Sequence, residues 1–134
     1  MPVRFMLDTN IISDMVRNPK GRAARRARVV QDQLCTSIIV AAELRYGCAK
    51  KASPELLRRI EDILDEIGVL AFDVPSDANY GDIRSKLEAA DQPIGANDLF
   101  VAAHAISLAL TLVTANVREF SRIPNLQIEN WISQ

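Results

Sequence analysis

The chain has 134 residues, of which 49% are hydrophobic and 25% charged, and its formal net charge is −1. This predicts one globular domain spanning residues 1–134, and it argues against a simple polybasic nucleic-acid binder. Cys35 and Cys48 have no metal-ligand or redox spacing, no leader segment is recognised, and no apolar run approaches the ~20 residues of a membrane span. We therefore expect a cytoplasmic protein with reduced thiols.

The first predicted element is a short buried strand from Val3 to Leu7, followed at once by Asp8-Thr9-Asn10. Such an apolar run is typical of a parallel sheet covered on both faces. Ligand crevices of open α/β sheets lie at the carboxyl ends of the strands, so Asp8 would stand at the mouth of one. On this stretch alone, an equal alternative is that Asp8 only caps the helix that follows, a role that Thr9 or Asn10 could also fill.

A basic segment follows a predicted break at residues 17–21. Residues 22–33 have helical composition and carry four arginines. The preferred interpretation is a solvated basic helix face. The alternative is contact with an RNA backbone through Arg22, Arg25 and Arg26.

The next strand and helix introduce a second carboxylate. Residues 34–37 predict a strand, and Ser37 is well placed to cap a helix from about Ile38 to Lys51. Glu43 stands in the apolar first half of that helix. Helical side chains lean toward the amino terminus, so we expect Glu43 to lean toward the sheet edge where Asp8 emerges.

A second helix of this hairpin is predicted to begin at Ser53-Pro54-Glu55 and to end at Gly68. Its apolar residues form one stripe at helical spacing. The stripe is long for a peripheral helix, so we expect part of it to pack inside and part to face a groove or a dimer seam. The stripe comprises Leu56, Leu57, Ile60, Ile63, Leu64 and Ile67.

The second half of the chain continues the alternation of strands and helices. We predict a strand over 69–74, a helix over about 77–90 capped by Ser76, a strand over 110–114 and a closing strand over 126–131. Between them, Asn97-Asp98 opens a helix that is apolar on all sides and therefore central. The alternation predicts an α/β fold, a three-layer α/β/α sandwich with a mainly parallel central sheet.

Four segments of this fold bring oxygen ligands to one sheet edge: Asp8, Glu43, Asp98 and the pair Asn116/Glu119. Carboxylates placed together raise one another's pKa unless a cation neutralises them. Mg²⁺ prefers such ligands and can activate a water at a phosphodiester. The single histidine, His104, lies six residues past Asp98 and projects about 120° away, so we predict a packed residue rather than a ligand.

At this point the chain resembles PIN domains, most closely the VapC toxins of bacterial toxin–antitoxin pairs. The resemblance runs from residue 3 to about residue 131. The motifs that carry it are Leu7-Asp8-Thr9-Asn10, Ala42-Glu43-Leu44 with Gly47, Asn97-Asp98, and Thr114-Ala115-Asn116 with Arg118-Glu119-Phe120.

The resemblance implies an Mg²⁺- or Mn²⁺-dependent endoribonuclease with Asp8, Glu43 and Asp98 as catalytic and metal-binding acids. The fourth acidic position of many PIN domains falls on Asn116, with Glu119 nearby, so either could serve. Thr9, Asn10 and Ser37 are candidate supporting residues. The resemblance further implies a homodimer blocked by a cognate VapB-type antitoxin. Several relatives cut tRNA in the anticodon region, some of them initiator tRNA.

Three other classes share parts of this pattern. A haloacid-dehalogenase-type phosphatase needs a second aspartate where Asn10 stands. A response-regulator receiver would use Asp73 and would want a lysine after the last strand, where none follows. The serious alternative is a non-catalytic RNA-binding PIN module, against which the three intact acids argue.

Overall fold

A five-stranded sheet forms the centre of the computed structural model, which describes residues 2–133. The strand order is β3–β2–β1–β4–β5, and every pair is parallel. This confirms the predicted α/β class. The prediction was a mainly parallel sheet, and the observed sheet is entirely parallel. The strands are β1 (Phe5–Leu7), β2 (Leu34–Ser37), β3 (Val69–Leu70), β4 (Thr111–Val113) and β5 (Ile128–Glu129).

Seven helices of the described residues flank this sheet and supply the connections between parallel strands. One hydrophobic core, with members from Phe5 to Trp131, joins sheet and helices. None of these helices combines the length and apolar character that crossing a bilayer requires. The helices are α1 (Thr9–Arg17), α2 (Arg22–Val29), α3 (Ile38–Lys51), α4 (Pro54–Ile67), α5 (Ser76–Ala89), α6 (Ala96–Ser107) and α7 (Val117–Phe120).

The central strand β1 is the most deeply buried element. Met6 pairs with Cys35 of β2 and Leu112 of β4, and all three are at most 1% exposed. The strand begins at Phe5 rather than Val3, because Val3 is already 39% exposed. A strand buried on both faces carries no polar side chain until it ends, which is why the chain turns polar only at Asp8.

The helix ends follow the predicted local chemistry. Ser37 accepts a hydrogen bond from the Ile39 amide at 3.1 Å, and Ser53 accepts one from the Leu56 amide at 3.2 Å. These two caps confirm the predicted starts of α3 and α4. Gly68 ends α4 with φ +86°, a conformation that favours glycine.

Two predicted strands are much shorter than expected. β3 stops at Leu70 rather than residue 74, because Phe72 leaves the sheet and packs edge-on against Phe100 and His104, each 5.5 Å away between ring centroids. β5 keeps only Ile128–Glu129, since Trp131 turns back and packs against Phe5. In both places, packing of one aromatic ring outweighs continued strand pairing.

Helix boundaries also differ in three places. Ser76 is the first residue of α5 and not its cap, since its hydroxyl lies 2.7 Å from the hydroxyl of Ser107. The predicted helix over 22–33 ends at Val29, and residues 31–33 form a 3-10 turn. The central helix α6 ends at Ser107, whereas the apolar run that predicted it continues to Leu110, the first residue of the predicted strand over 110–114.

Candidate active site

Asp8 follows β1 directly and is 4% exposed. Its Oδ1 accepts the amide of Thr9 at 2.8 Å, so Asp8 rather than Thr9 or Asn10 caps α1. Its Oδ2 accepts a hydrogen bond from the Thr114 hydroxyl at 2.8 Å and a longer one from the Asn10 side chain at 3.4 Å. Burial raises the pKa of Asp8, and these hydrogen bonds oppose the rise. One oxygen is therefore structural, and the other belongs to a polar cluster.

Thr114 and Asn10 join the ends of β1 and β4 behind that carboxylate. The Asn10 amide donates to the Thr114 hydroxyl at 3.3 Å, and its Oδ1 accepts the backbone N–H of Ala115 at 2.9 Å. The Thr114 oxygen also accepts the Asn116 backbone N–H at 3.0 Å. These contacts hold the loop after β4 close to Asp8 and fix the orientation of the carboxylate.

Glu43 reaches the same sheet edge from α3, as its place on the helix predicts. Its Oε1 accepts the Thr9 hydroxyl at 3.2 Å, and its Oε2 accepts the Asn97 amide at 3.3 Å. The carboxylate is thus held between the start of α1 and the start of α6. Its charge contributes to the raised pKa values of Asp8 and Asp98, which places all three acids in one electrostatic field.

Asp98 and Glu119 form the other half of the cluster. The Asn116 side-chain amide donates to Asp98 Oδ2 at 3.4 Å and to Glu119 Oε2 at 2.6 Å, so it bridges the two carboxyl groups. Burial, then the charge of Asp8 and the contact with Glu119, raise the pKa of Asp98 to about 7. The Asn116 hydrogen bond is the main factor that lowers the pKa of Glu119. A proton shared by the pair therefore resides on Asp98.

The donor chemistry of this cluster fits a hard divalent cation, because all four carboxyl groups supply oxygen. Burial first, and then neighbouring carboxylates, raise the pKa values of Asp8 and Asp98. Among residues 2–133, however, no three acidic, histidine or cysteine side chains already surround a single point. Thr9 stands between Asp8 and Glu43, and Asn116 stands between Asp98 and Glu119. Neutral donors thus bridge neighbouring carboxyl groups, while Asp98 still contacts Glu119 and feels the charges of Asp8 and Glu43.

The structure also places the remaining predicted site residues. Ser37 is fully buried, caps α3 and lies 2.7 Å from Nδ1 of His104. His104 is 1% exposed, as predicted for a packed residue, and burial lowers its pKa while the Ala71 carbonyl opposes that change. Cys35 is buried as well, which raises the pKa of its thiol to about 12 and makes it a poor nucleophile.

The predicted substrate-binding arginines are not brought to the acids. Arg22, Arg25 and Arg26 are exposed on α2, and the Arg26 guanidinium lies over the Trp131 ring at 5.5 Å. Because α1 runs about 13 Å from Asp8 before the chain turns into α2, this basic surface is separate from the acidic cluster. An RNA contact there stays a prediction.

Two residues of the site were not predicted, Asn97 and Thr114. Each lies within a motif quoted for the resemblance, at the start of α6 and at the end of β4, but neither was given a role in the site. The sequence feature that could have identified them is a polar side chain, able to form hydrogen bonds, at the sheet edge where the acids were expected. Their partners, Glu43 and Asp8, are 54 and 106 residues away in the chain, so the pairing itself could not be read locally.

The parallel sheet and the acidic side chains at its carboxyl edge define an open-sheet α/β protein. The PIN domain model matches residues 5–126, and the chain belongs to the PIN domain family. It is 37% identical over 131 residues to "Ribonuclease VapC2" of Haemophilus influenzae, covering 97% of this chain and 99% of that protein. It is also 37% identical over 130 residues to "tRNA(fMet)-specific endonuclease VapC" of Shigella flexneri, covering 96% and 98%.

A solved structure gives the same result for the fold. A chain in the crystal structure of VapBC2 from Rickettsia felis, bound to a DNA fragment from their promoter, superposes with a TM-score of 0.89. The sequences are 34% identical, and the alignment covers 98% of this chain and 99% of that one. The relatives therefore match almost the whole chain, from the first strand to the closing one.

Proposed function

We propose that this protein is a metal-dependent endoribonuclease and the toxin of a toxin–antitoxin pair. The observation that carries the proposal is the meeting of Asp8, Glu43, Asp98 and Glu119, from four separate segments, at one edge of a PIN-domain sheet. The names of the relatives, ribonuclease and endonuclease, support the same activity. An initiator tRNA is the first substrate to test, since the Shigella flexneri relative is named for tRNA(fMet).

The four carboxyl groups would hold Mg²⁺ or Mn²⁺. Glu119 would then supply the fourth carboxylate, in place of the acid that many PIN domains carry at the position of Asn116. A bound ion would activate water and stabilise the leaving oxygen of the phosphodiester. Thr114 and Asn10 orient Asp8, while Thr9 and Asn97 orient Glu43. Asp98, with its pKa raised to about 7, would have to be ionised to hold the ion, and Asn116 bridges it to Glu119.

Removing one acid at nearly constant shape tests this assignment. We expect Asp8→Asn and Asp98→Asn each to lower RNA cleavage in Mg²⁺ by at least ~10²-fold, comparable to losing one electrostatic stabiliser from an active site. The measurement is the initial rate on total tRNA that includes initiator tRNA, with intact protein confirmed by circular dichroism.

A matched control is Asp14→Asn. Asp14 is also buried on α1, at 8% exposure, but its carboxylate accepts the Asn18 amide at 2.9 Å and lies outside the cluster. It should keep the parental rate. Near-parental cleavage by either site variant contradicts the assignment. A parent that binds RNA without cutting it would instead favour the non-catalytic RNA-binding module.

We propose that the antitoxin occupies a groove between α1, α3 and α4, adjacent to Glu43. The groove encloses about 170 Å³, and Glu43 and Gly47 form one wall. Leu56 and Ile60 of the α4 stripe form part of the opposite wall, so that stripe divides between core and groove as expected. An amphipathic segment fits such a groove, and a basic side chain on it would reach the acids.

Gly47 offers a direct test, because a side chain added there meets no atom within 4 Å. We expect Gly47→Trp to fill the groove and weaken antitoxin binding at least tenfold in calorimetry. Gly81→Trp is the matched control, since Gly81 is equally open but lies on α5. Unchanged affinity in Gly47→Trp would place the antitoxin elsewhere.

Three further proposals concern assembly, location and domain organisation. A homodimer is supported by exposed apolar side chains at Ile38, Tyr46 and Val74, and sedimentation equilibrium would test it.

A cytoplasmic location is supported by the two buried free thiols, which suit a reducing compartment. The single hydrophobic core supports one domain over residues 1–134.

A further inference from the structure

Two polar contacts join α3, which carries Glu43, to α6, which carries Asp98. At the solvent end, the Asn97 amide donates to Glu43 at 3.3 Å. At the sheet end, Nδ1 of His104 lies 2.7 Å from the Ser37 hydroxyl, and both residues are at most 1% exposed. Along α3 the contacts run from Ser37 up to Glu43, and along α6 they run from His104 back to Asn97. The two helices are therefore antiparallel and connected at two levels.

The hydrogen-bond pattern favours one tautomer of the buried pair. The Ser37 oxygen already accepts the Ile39 amide at 3.1 Å, and the acceptor recorded for its own hydrogen among the described residues is Nδ1 of His104. This arrangement favours a neutral imidazole with its proton on Nε2. Ser37 thus connects α6 directly to the first turn of α3.

This arrangement leaves Nε2 without a hydrogen bond of good geometry among the described residues, although the Ala71 carbonyl faces the ring closely enough to oppose the lowering of its pKa by burial. A buried donor without a partner is unfavourable, and an apolar side chain would fill this space without one. The ring already packs edge-on against Phe72 as a hydrophobic residue would. What the imidazole adds over an apolar side chain is the 2.7 Å contact with Ser37, together with a weaker approach to the Ala71 carbonyl.

We propose that His104 is a positioning residue of the active site, acting through Ser37 to fix the start of α3 against α6 and so the spacing of Glu43 and Asp98. His104 touches neither the acids nor the substrate. It sets the helix pair on which two of the acids are carried, while Asn97 orients the Glu43 side chain itself. The role in the reaction rests on the proposed nuclease function.

Three variants test the connection. His104→Leu removes the acceptor, Ser37→Ala removes the hydroxyl, and His104→Asn keeps a polar group near the position of Nδ1. We expect His104→Leu and Ser37→Ala each to lower kcat about tenfold with little change in KM, and His104→Asn to recover most of the loss. The double variant should be no slower than the worse single variant, because both remove one interaction.

Ser53→Ala is the matched control for a purely structural effect. It removes an equivalent cap from α4, which carries none of the four acids. It should lower the melting temperature as Ser37→Ala does and leave kcat unchanged, once rates are corrected for the folded fraction. A kcat loss in Ser53→Ala, parental kcat in His104→Leu, or multiplied losses in the double variant would overturn the proposal.

A readout that needs no catalysis separates this inference from the proposed function. Amide hydrogen exchange in the first turn of α3 should accelerate about tenfold in His104→Leu and recover in His104→Asn. If His104→Leu does not fold, Ser37→Ala and His104→Asn give the same comparison. Unchanged exchange at α3 overturns the positioning role even if the parent cuts no RNA.

Discussion

The two ends of β1 show opposite ways of using burial. Phe5 begins the strand in an aromatic cluster, with the Trp131 ring edge-on at 5.2 Å and the Arg4 guanidinium at 5.0 Å. Asp8 follows the strand's other end in the acidic cluster, where burial raises the pKa of both Asp8 and Asp98. The two regions are only three residues apart in the chain.

The two regions make opposite contributions to the free energy of unfolding. Around Phe5 each contact favours the folded state: the rings bury apolar area, and the cations lie over ring faces. Around Asp8 the carboxyl groups are partly removed from water and repel one another, which favours the unfolded state in the absence of a cation. The fold thus has its stabilising end and its chemically reactive end on a single three-residue strand.

The largest expected effect comes from the aromatic end. Trp131→Ala should lower the free energy of unfolding by about 3 kcal/mol, the lower part of the range for truncating a buried aromatic residue. For a domain of this size that is a melting-temperature drop of roughly 10 °C. Trp131→Phe, which keeps a ring against Phe5, should lose much less.

The same variant sharpens the comparison when activity is measured. At a temperature where Trp131→Ala is folded, its RNA cleavage rate should equal that of the parent, because the edge-on contact of Trp131 with Phe5 lies at the other end of β1 from Asp8. A large loss of kcat in folded Trp131→Ala would show that the two ends of β1 are not independent.

A smaller effect is expected from Asp98, and it depends on pH. Between the ordinary pKa of 3.8 and the folded value of about 7, the folded protein retains a proton that the unfolded chain has lost. The parent's stability therefore falls as pH rises through this window in EDTA. Asp98→Asn removes that dependence, and its side-chain amide can still donate to Glu119.

At pH 8 we expect Asp98→Asn to be more stable than the parent by up to about 2 kcal/mol, after discounting for the partial exposure of Asp98. The advantage should shrink toward pH 5. Urea unfolding in EDTA at pH 5, 6.5 and 8 measures it, with Asp77→Asn on α5 as a control outside the cluster. An advantage that does not grow with pH would contradict the raised pKa.

The smallest expected effect is that of the ion. At ten times its dissociation constant, Mg²⁺ should stabilise the parent by about 1.4 kcal/mol, a shift of a few degrees. Asp8→Asn should gain little from Mg²⁺, and in EDTA it should melt at the same temperature as the parent or higher. If millimolar Mg²⁺ leaves the parent's melting curve unchanged, the site is not preformed, and the ion would have to enter together with RNA.

Much of the site was accessible from the sequence, because local rules determine it. A buried strand must end before a carboxylate, which located Asp8. Ser37 caps the helix that follows β2, and the backward lean of helical side chains directed Glu43 to the correct edge. These rules need only near neighbours in the chain, which is why they succeed.

Other features could not be predicted, because they depend on partners far apart in the chain. The Phe72 ring ends β3 early by packing against α6, and Ser76 lies against Ser107 rather than capping α5. Both outcomes turn on which side chains the fold brings together. A propensity for strand or cap is weak beside such packing.

The sequence by itself determined the order of the elements, the parallel α/β class and the segments that bear the acids, since polarity and spacing along the chain encode these. Only the tertiary structure decided that Asn116 bridges two carboxyl groups while Glu119 supplies the charge. It also decided that α2 carries its arginines away from the acids and that His104 connects α6 to α3. Hydrogen bonds and repulsion act over a few ångströms, and folding alone sets which residues come that close.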